Sequence, residues 1–329
     1  MTDGVHEVAG PSPRLGLGGV PEAGPEEWAA RPDAHLVLVR DRQLVARASL
    51  WWRATHGPGV GYVGHAAWAS VAAGVELLTA ALARLREAGC GSALGPLDGS
   101  TWRRYRVVTD PAPSGTAAPP FALEPFPPPR VGEALRAAGF APVARYVSTR
   151  VDRLPDRADA WSATRRRFGA AGLTVRPFDA DRADGELARL VPLALEAFAD
   201  NPFYTPLPEA DVRALYAPLL AENDPRLMLV AERGGELVGF HLGVPDFAQA
   251  ARGEAVDTVI CKTLAVAADA RGHGLGGALT LGLEEAARQL GLTRSIHALM
   301  HEGNDSVKIG RHGARLLRRY ALLGRELVP

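Results

Sequence analysis

Leu264-Ala265-Val266-Ala267-Ala268-Asp269-Ala270-Arg271-Gly272-His273-Gly274-Leu275-Gly276-Gly277-Ala278-Leu279 is the most informative stretch of this 329-residue chain. A β-prone run leads into a short loop, glycines follow, and an apolar helical repeat begins. The first turn of a helix carries unsatisfied N–H groups and the positive end of the helix dipole, so it suits an anion. Glycines remove the side chains that would hold a phosphate away from those N–H groups. Arg271 adds a forked, permanently charged donor. A diphosphate is the natural ligand.

Gly272, Gly274 and Gly277 formally match G-x-G-x-x-G. A dinucleotide fold would need further βα units and an acidic residue about 20 positions on, at the end of the next strand. Only a short C-terminal stretch remains, and the strand expected over 295–300 ends in Met300. No Gly-Lys-Ser/Thr closes the loop, which excludes a Walker motif.

Working outward, the chain reads as one plan used twice. Residues 35–52 and 226–244 read as hairpins, turning at Asp41-Arg42-Gln43 and at Gly234-Gly235. A strand follows each (61–68 and 255–266), then an amphipathic helix (71–87 and 276–290) closed by Gly89 or Gly291. Short strands at 92–95 and 295–300 precede helix-start signals, Asp98-Gly99-Ser100 and Asn304-Asp305-Ser306. Gly139 leads to Arg145-Tyr146 at the offset by which Gly313 leads to Arg319-Tyr320. The shared order is what marks a repeat. The expected units are 1–152, a linking helix within 153–172, and 173–329, which opens with a strand over 173–178 and helices over 184–201 and 208–220. A proline-rich insertion, 110–130, is expected to be a loop or arm that cannot pair in a sheet.

Composition limits the partners. Lys plus Arg equals Asp plus Glu at 37 each, so no basic excess points to nucleic acid. Arg165-Arg166-Arg167 reads as a solvated helix face. The N-terminus has no signal-peptide pattern, and no apolar run approaches the ~18–20 residues of a membrane span. Cys90 and Cys261 match no metal-ligand spacing and read as small core residues. A cytoplasmic protein without bound metal is expected.

The glycine stretch resembles the signature of the GNAT superfamily of N-acetyltransferases, in which Arg or Gln, then x-x-Gly-x-Gly/Ala, binds the pyrophosphate of acetyl-CoA. Arg271, Gly274 and Gly276 fall on those positions, with Gly272, His273, Leu275 and Gly277 completing the loop. The resemblance implies that Leu264, Ala265 and Val266 pair with the pantetheine arm, and that Asn304 and Ser306 open a helix beside it. It also implies an α/β (α+β) architecture of two tandem GNAT-like domains, each a mixed, mostly antiparallel sheet flanked by helices. The first looks degenerate: Ala69, Ala72 and Gly74 stand opposite Arg271, Gly274 and Gly276. The implied activity is transfer of an acetyl group from acetyl-CoA, the cosubstrate, to a primary amine of a small-molecule or peptide acceptor. The rival reading is a non-catalytic acyl-CoA-binding or scaffold protein.

Acyl transfer to an amine needs a proton acceptor, oxyanion stabilisation and a protonated leaving thiol. The resemblance implies an oxyanion donor among the backbone N–H groups at Leu264 or a neighbour. It puts the general base two or four residues earlier, at Lys262 or Ile260, and Ile260 has no group to accept a proton. Strand alternation sets 260, 262 and 264 on one face unless a bulge intervenes. The family's acid, a tyrosine four residues before the glycine ending the last helix, falls here on Ile309. Lys262 and Tyr320 are therefore the catalytic candidates. His241, His297 and His301 read as structural. By resemblance, 201–206 covers the acceptor, with Tyr204 the candidate contact.

Overall fold

Hairpin chemistry organises both ends of the sheet. The computed structural model describes residues 1–8, 18–111, 118–308 and 313–327. The first half begins with β1 (Gly4–Glu7), β2 (Gly18–Gly19) and a single helical turn α1 (Pro25–Trp28). The first hairpin is β3 (Ala34–Arg40) and β4 (Gln43–Trp51), and its turn takes positive φ at both Asp41 and Arg42. Two left-handed residues match the twist of the flanking strands, which explains so tight a reversal. Then come β5 (Val60–Trp68), α2 (Val71–Glu87), β6 (Ser92–Gly95), β7 (Val107–Pro111), α3 (Pro129–Ala137) and β8 (Ala141–Val151).

The linking helix α4 (Ala158–Ala170) exposes Arg165, Arg166 and Arg167, as the composition suggests. The second half follows with β9 (Leu173–Pro177), α5 (Ala183–Phe198), α6 (Glu209–Glu222) and the hairpin β10 (Met228–Arg233) and β11 (Glu236–Pro245). It continues with a short α7 (Phe247–Ala251), β12 (Thr258–Val266), α8 (Leu275–Gln289), β13 (Arg294–His301) and β14 (Ala314–Glu326). No helix among the described residues is long and apolar enough to cross a membrane.

These strands join into one sheet in the order β1-β3-β4-β5-β6-β14-β8-β13-β12-β11-β10-β9, with β2 on β4 and β7 on β14. Pairing is mostly antiparallel; β5/β6, β12/β13 and the short β2/β4 pair are parallel. The order contains a reciprocal exchange. The last strand of the second half, β14, pairs with β6 of the first, while β8 of the first half pairs with β13 of the second. Between them β8 and β14 run antiparallel, and Tyr146 faces Tyr320 across the pair. The two Gly…Arg-Tyr segments of the repeat thus meet at the centre. A cut at residue 152 would strip β6 of β14 and β13 of β8.

Helices bury both faces. α2 and α3 cover the first half through Leu77, Leu78, Leu82, Leu85, Val131 and Leu135. In the second half α8 supplies Leu275, Leu279 and Leu283 to one face, and α5 supplies Leu190, Leu193 and Ala194 to the other. Cys90 and Cys261 lie buried among these side chains, where burial pushes both thiols up.

Three sequence expectations change. Asp98-Gly99-Ser100 starts no helix: the Asp98 carboxylate accepts the backbone N–H of His65 at 2.6 Å and pairs with Arg104 at 3.3 Å. Asn304 leads only into a 3₁₀ turn over Asp305–Lys308, and Ile309 lies outside the described residues. The insertion 110–130 is not excluded from the sheet, because Asp110 and Pro111 end β7 opposite Arg319 and Arg318. β7 pairs with β14 alone, and an edge position is where a proline is tolerated. Its later residues are pinned as well. Buried Glu124 accepts Arg318 Nη1 at 2.6 Å and the Tyr320 hydroxyl, and Ala122 N–H donates to Asp246 at 2.7 Å.

Candidate functional site

Strand β12 carries the features on which the site is built. It pairs with β11 from Val259 to Val266, but with β13 only from Thr258 to Cys261. On its other side β13 pairs with β8 from Ser295 to His297, breaks, and resumes at Met300, opposite Val147, where β12 no longer accompanies it. The β13-facing edge of Lys262, Thr263, Leu264, Ala265 and Val266 is therefore left without a strand. Apart from the Val266 carbonyl, which accepts from Arg271, backbone groups on such an edge are a template for an amide-bearing chain.

A bulge sits at the start of this edge. Leu242 faces Thr263 and Gly243 faces Cys261, so Lys262 is the extra residue. The bulge reverses the expected alternation. Cys261, Leu264 and Val266 lie with the α8 core, Ala265 lies with the α5 core, and Ile260 joins a separate cluster with Ile296 and Phe121. Ile260 and Leu264 do not share a face, because one extra residue resets a period of two.

The glycine loop follows directly. Gly272 and Gly274 take φ of +81° and +77°, and Gly274 is the N-cap of α8 with no side chain capping the first turn. A Cβ placed at Gly272, Gly274 or Gly277 would meet nothing within 4 Å. The helix end is thus open and uncapped, anchored from below by Leu275, which is 2% exposed. Arg271 does not stand free: its guanidinium donates to the Val266 carbonyl at 3.1 Å and to Ala197 O, in the last turn of α5, at 3.0 Å. It therefore fixes the loop against α5. His273 Nδ1 lies 2.8 Å from the Arg271 carbonyl.

The first half is closed at the same places. Ser70 caps α2 by accepting Ala73 N–H at 3.2 Å. A Cβ at Gly74 would lie 2.8 Å from Ala134 and from the Trp68 ring. Arg130 at the start of α3 locks over this end, exchanging hydrogen bonds of 2.6 and 3.0 Å with Trp68. The edge of β5 is filled too, since Leu97 N–H donates to Val63 O at 2.9 Å and a Cβ at Gly64 would collide with the Leu97 carbonyl at 2.2 Å.

Of the catalytic candidates, Lys262 is brought to the bulge, half-buried and without an ion pair among the described residues. Burial, and then the nearby Arg106 cation, push its ammonium down to about 8. Tyr320 is buried, and its hydroxyl is given to Glu124. Burial and then the Glu124 charge raise its pKa, which makes it a poorer acid. His241 is held neutral by burial, at about 3, with Thr280 Oγ1 at 3.3 Å; His297 pairs with Glu284 at 3.1 Å. His301 stacks edge-on to Tyr146. Asn304 precedes the 3₁₀ turn after β13 and Ser306 lies within it.

Tyr204 lies edge-on to Trp102, which also meets Phe198 and Tyr216. Trp102 comes from the first half, as do Tyr62, bonded to Thr205 at 2.9 Å, and Ser100, bonded to Thr205 O at 3.4 Å. Residues 98–106 thus wall the segment that contains Tyr204. Arg106 sits on this wall, 6% exposed, and reaches the splay by donating to Leu299 O of β13 at 3.0 Å. Nothing in the local sequence marks Trp102 or Arg106 as site residues, because the contacts span the two halves.

Residues 193–309 match the model of the acetyltransferase (GNAT) family. A bacterial ceramide synthase of Caulobacter vibrioides is 27% identical over 166 residues, which are 50% of this chain and 42% of that protein. The chain therefore spans less than half the length of this curated relative. The crystal structure of a GCN5-related N-acetyltransferase from Sphaerobacter thermophilus superposes with a TM-score of 0.51 at 15% identity, covering 90% of this chain and 81% of that one. A tandem GNAT protein from the clavulanic acid biosynthesis pathway gives 0.52 at 15% identity, covering 94% and 90%. At such identities the two structures speak for the fold alone.

Proposed function

We propose that this chain, which belongs to the GNAT superfamily in its tandem form, moves an acetyl group from acetyl-CoA to a primary amine of a small-molecule or peptide acceptor. The observation that carries this reading is the contrast between halves. An uncapped helix end adjoins an unpaired strand edge in the second, and both are closed by the chain itself in the first. The repeat units we propose are 1–152 and 173–329, joined by 153–172 and exchanging their last strands.

In this reading acetyl-CoA supplies a thioester, whose carbonyl carbon is open to attack by an amine. The N–H groups at the start of α8, with Gly272, Gly274, Gly276 and Gly277, hold the pyrophosphate. Leu264, Ala265 and Val266 offer backbone groups to the pantetheine amides, and Asn304 and Ser306 lie along the arm. A backbone N–H beside the bulge stabilises the oxyanion. Lys262 takes the proton as the amine forms its C–N bond, and the C–S bond breaks to release the thiol after protonation from solvent. A lysine near 8 is partly neutral at neutral to mildly basic pH, as a base must be. Tyr204 and Trp102 wall the acceptor.

A second reading is favoured by the ceramide synthase relative: a longer acyl group in place of acetyl. Thiol release measured with acetyl-, octanoyl- and palmitoyl-CoA over an amine panel separates the two. Acetyl-CoA or CoA is expected to raise Tm while NAD and ATP at equal concentration do not. Stabilisation by NAD alone refutes the assignment, and binding without thiol release from any amine favours a non-catalytic acyl-CoA-binding protein.

A further inference from the structure

Arg106 is a buried cation without a counter-charge. It is 6% exposed, its guanidinium lies between the rings of Tyr105 and Tyr146 at 3.9 Å from each centroid, and it donates to Leu299 O and the Tyr105 hydroxyl. Its Nε–H has no partner. No carboxylate among the described residues pairs with it. Glu124, the buried acid of this region, is committed to Arg318 and Tyr320.

A desolvated guanidinium with an orphaned donor is costly unless an anion completes it. Ring faces stabilise a guanidinium but leave its in-plane donors unsatisfied. The pyrophosphate belongs to the far end of β12, at α8. Arg106 and Lys262 instead stand where β12 and β13 part, beside the wall that carries Trp102.

We propose that the acceptor carries a carboxylate near its amine, received by Arg106 at the mouth of the β12/β13 splay. The inference rests on the acyl-transfer reading and narrows its acceptor to amino-acid-like amines. It also gives the first half a function, because Arg106 comes from that half and recognises substrate in the other.

The test uses the full chain with acetyl-CoA and matched acceptors: amino acids and carboxyl-terminal peptides against their carboxamides and decarboxylated amines, followed by thiol release. Carboxylate acceptors should exceed their neutral counterparts by about 10- to 100-fold in kcat/KM, the scale of one or two charge-assisted hydrogen bonds. Arg106→Gln should erase most of that preference by raising the acceptor KM. If Arg106→Gln does not fold, Arg106→Met, which keeps an apolar stem between the two rings and loses the charge, carries the same comparison. Neutral amines used as well as or better than carboxylates would overturn the proposal, as would an unchanged preference in these variants. Should no acceptor turn over, N-acetyl amino acids titrated calorimetrically into the CoA complex decide it, and binding no tighter than that of their amides refutes it. Acetyl-CoA affinity, read in the same samples, reports on the acyl-transfer assignment separately.

Discussion

Replacing Lys262 by methionine should stabilise the protein, and the gain should depend on pH in a defined direction. In the folded chain the ammonium falls from its ordinary 10.5 to about 8, through burial and then the Arg106 charge. At about 1.4 kcal/mol per tenfold change in proton affinity, that drop corresponds to about 3 kcal/mol, and partial solvent access reduces it to about 1–3 kcal/mol. Between pH 8 and 10.5 the unfolded chain holds a proton here that the folded chain has released. Wild-type stability therefore rises with pH through that window, and below pH 8 the folded state carries the whole cost. Methionine fills similar volume without a charge. Urea unfolding of both proteins at about pH 7 and about pH 9.5 gives the difference directly, cancelling the other groups that titrate in that range. The variant should lead by about 1–3 kcal/mol at the lower pH, and by distinctly less at the higher. Equal stabilities at pH 7, or a lead that does not shrink, would show that Lys262 is solvated and paired as on a surface, which would also remove it as a base.

Other perturbations follow from the same geometry. Gly277→Ala should keep or raise Tm, since alanine favours a helix by up to about 1 kcal/mol and its methyl meets nothing, yet weaken acetyl-CoA binding about tenfold or more; unchanged affinity would free that space of phosphate. Arg271→Ala should cost about 1–3 kcal/mol of CoA binding by calorimetry, through the lost tether to Val266 and Ala197. Glu124→Leu should destabilise by about 3–5 kcal/mol in urea, and adding Arg318→Met should recover much of it, because the damage is one uncompensated buried charge.

What the sequence revealed divides along the range of the interactions. The hairpins, α2 and the strand–glycine–helix unit at Leu264–Leu279 depend on neighbours in the chain, and local pattern carries them. The exchange of β8 and β14 depends on register between strands over 160 residues apart, and no window of sequence contains it. The bulge at Lys262 is equally silent, since one extra residue leaves composition and apolar content unchanged, yet it moves Ile260 off the face of Leu264. Proline content marked 110–130 as a loop or arm, which missed the end of β7 and the start of α3, and it concealed Glu124, whose worth comes from Arg318 and Tyr320 nearly 200 positions away. Arg106 and Trp102 escaped notice for the same reason.

The claim that matters most is that one half binds acyl-CoA and the other has closed its copy of the site. Calorimetric titration of the intact chain with acetyl-CoA tests it in one experiment. The open α8 end and the free β12 edge predict one molecule bound per chain, with the Ser70 cap, the Arg130–Trp68 lock and the Leu97–Val63 bond denying a second. Two molecules per chain, or none, would contradict it.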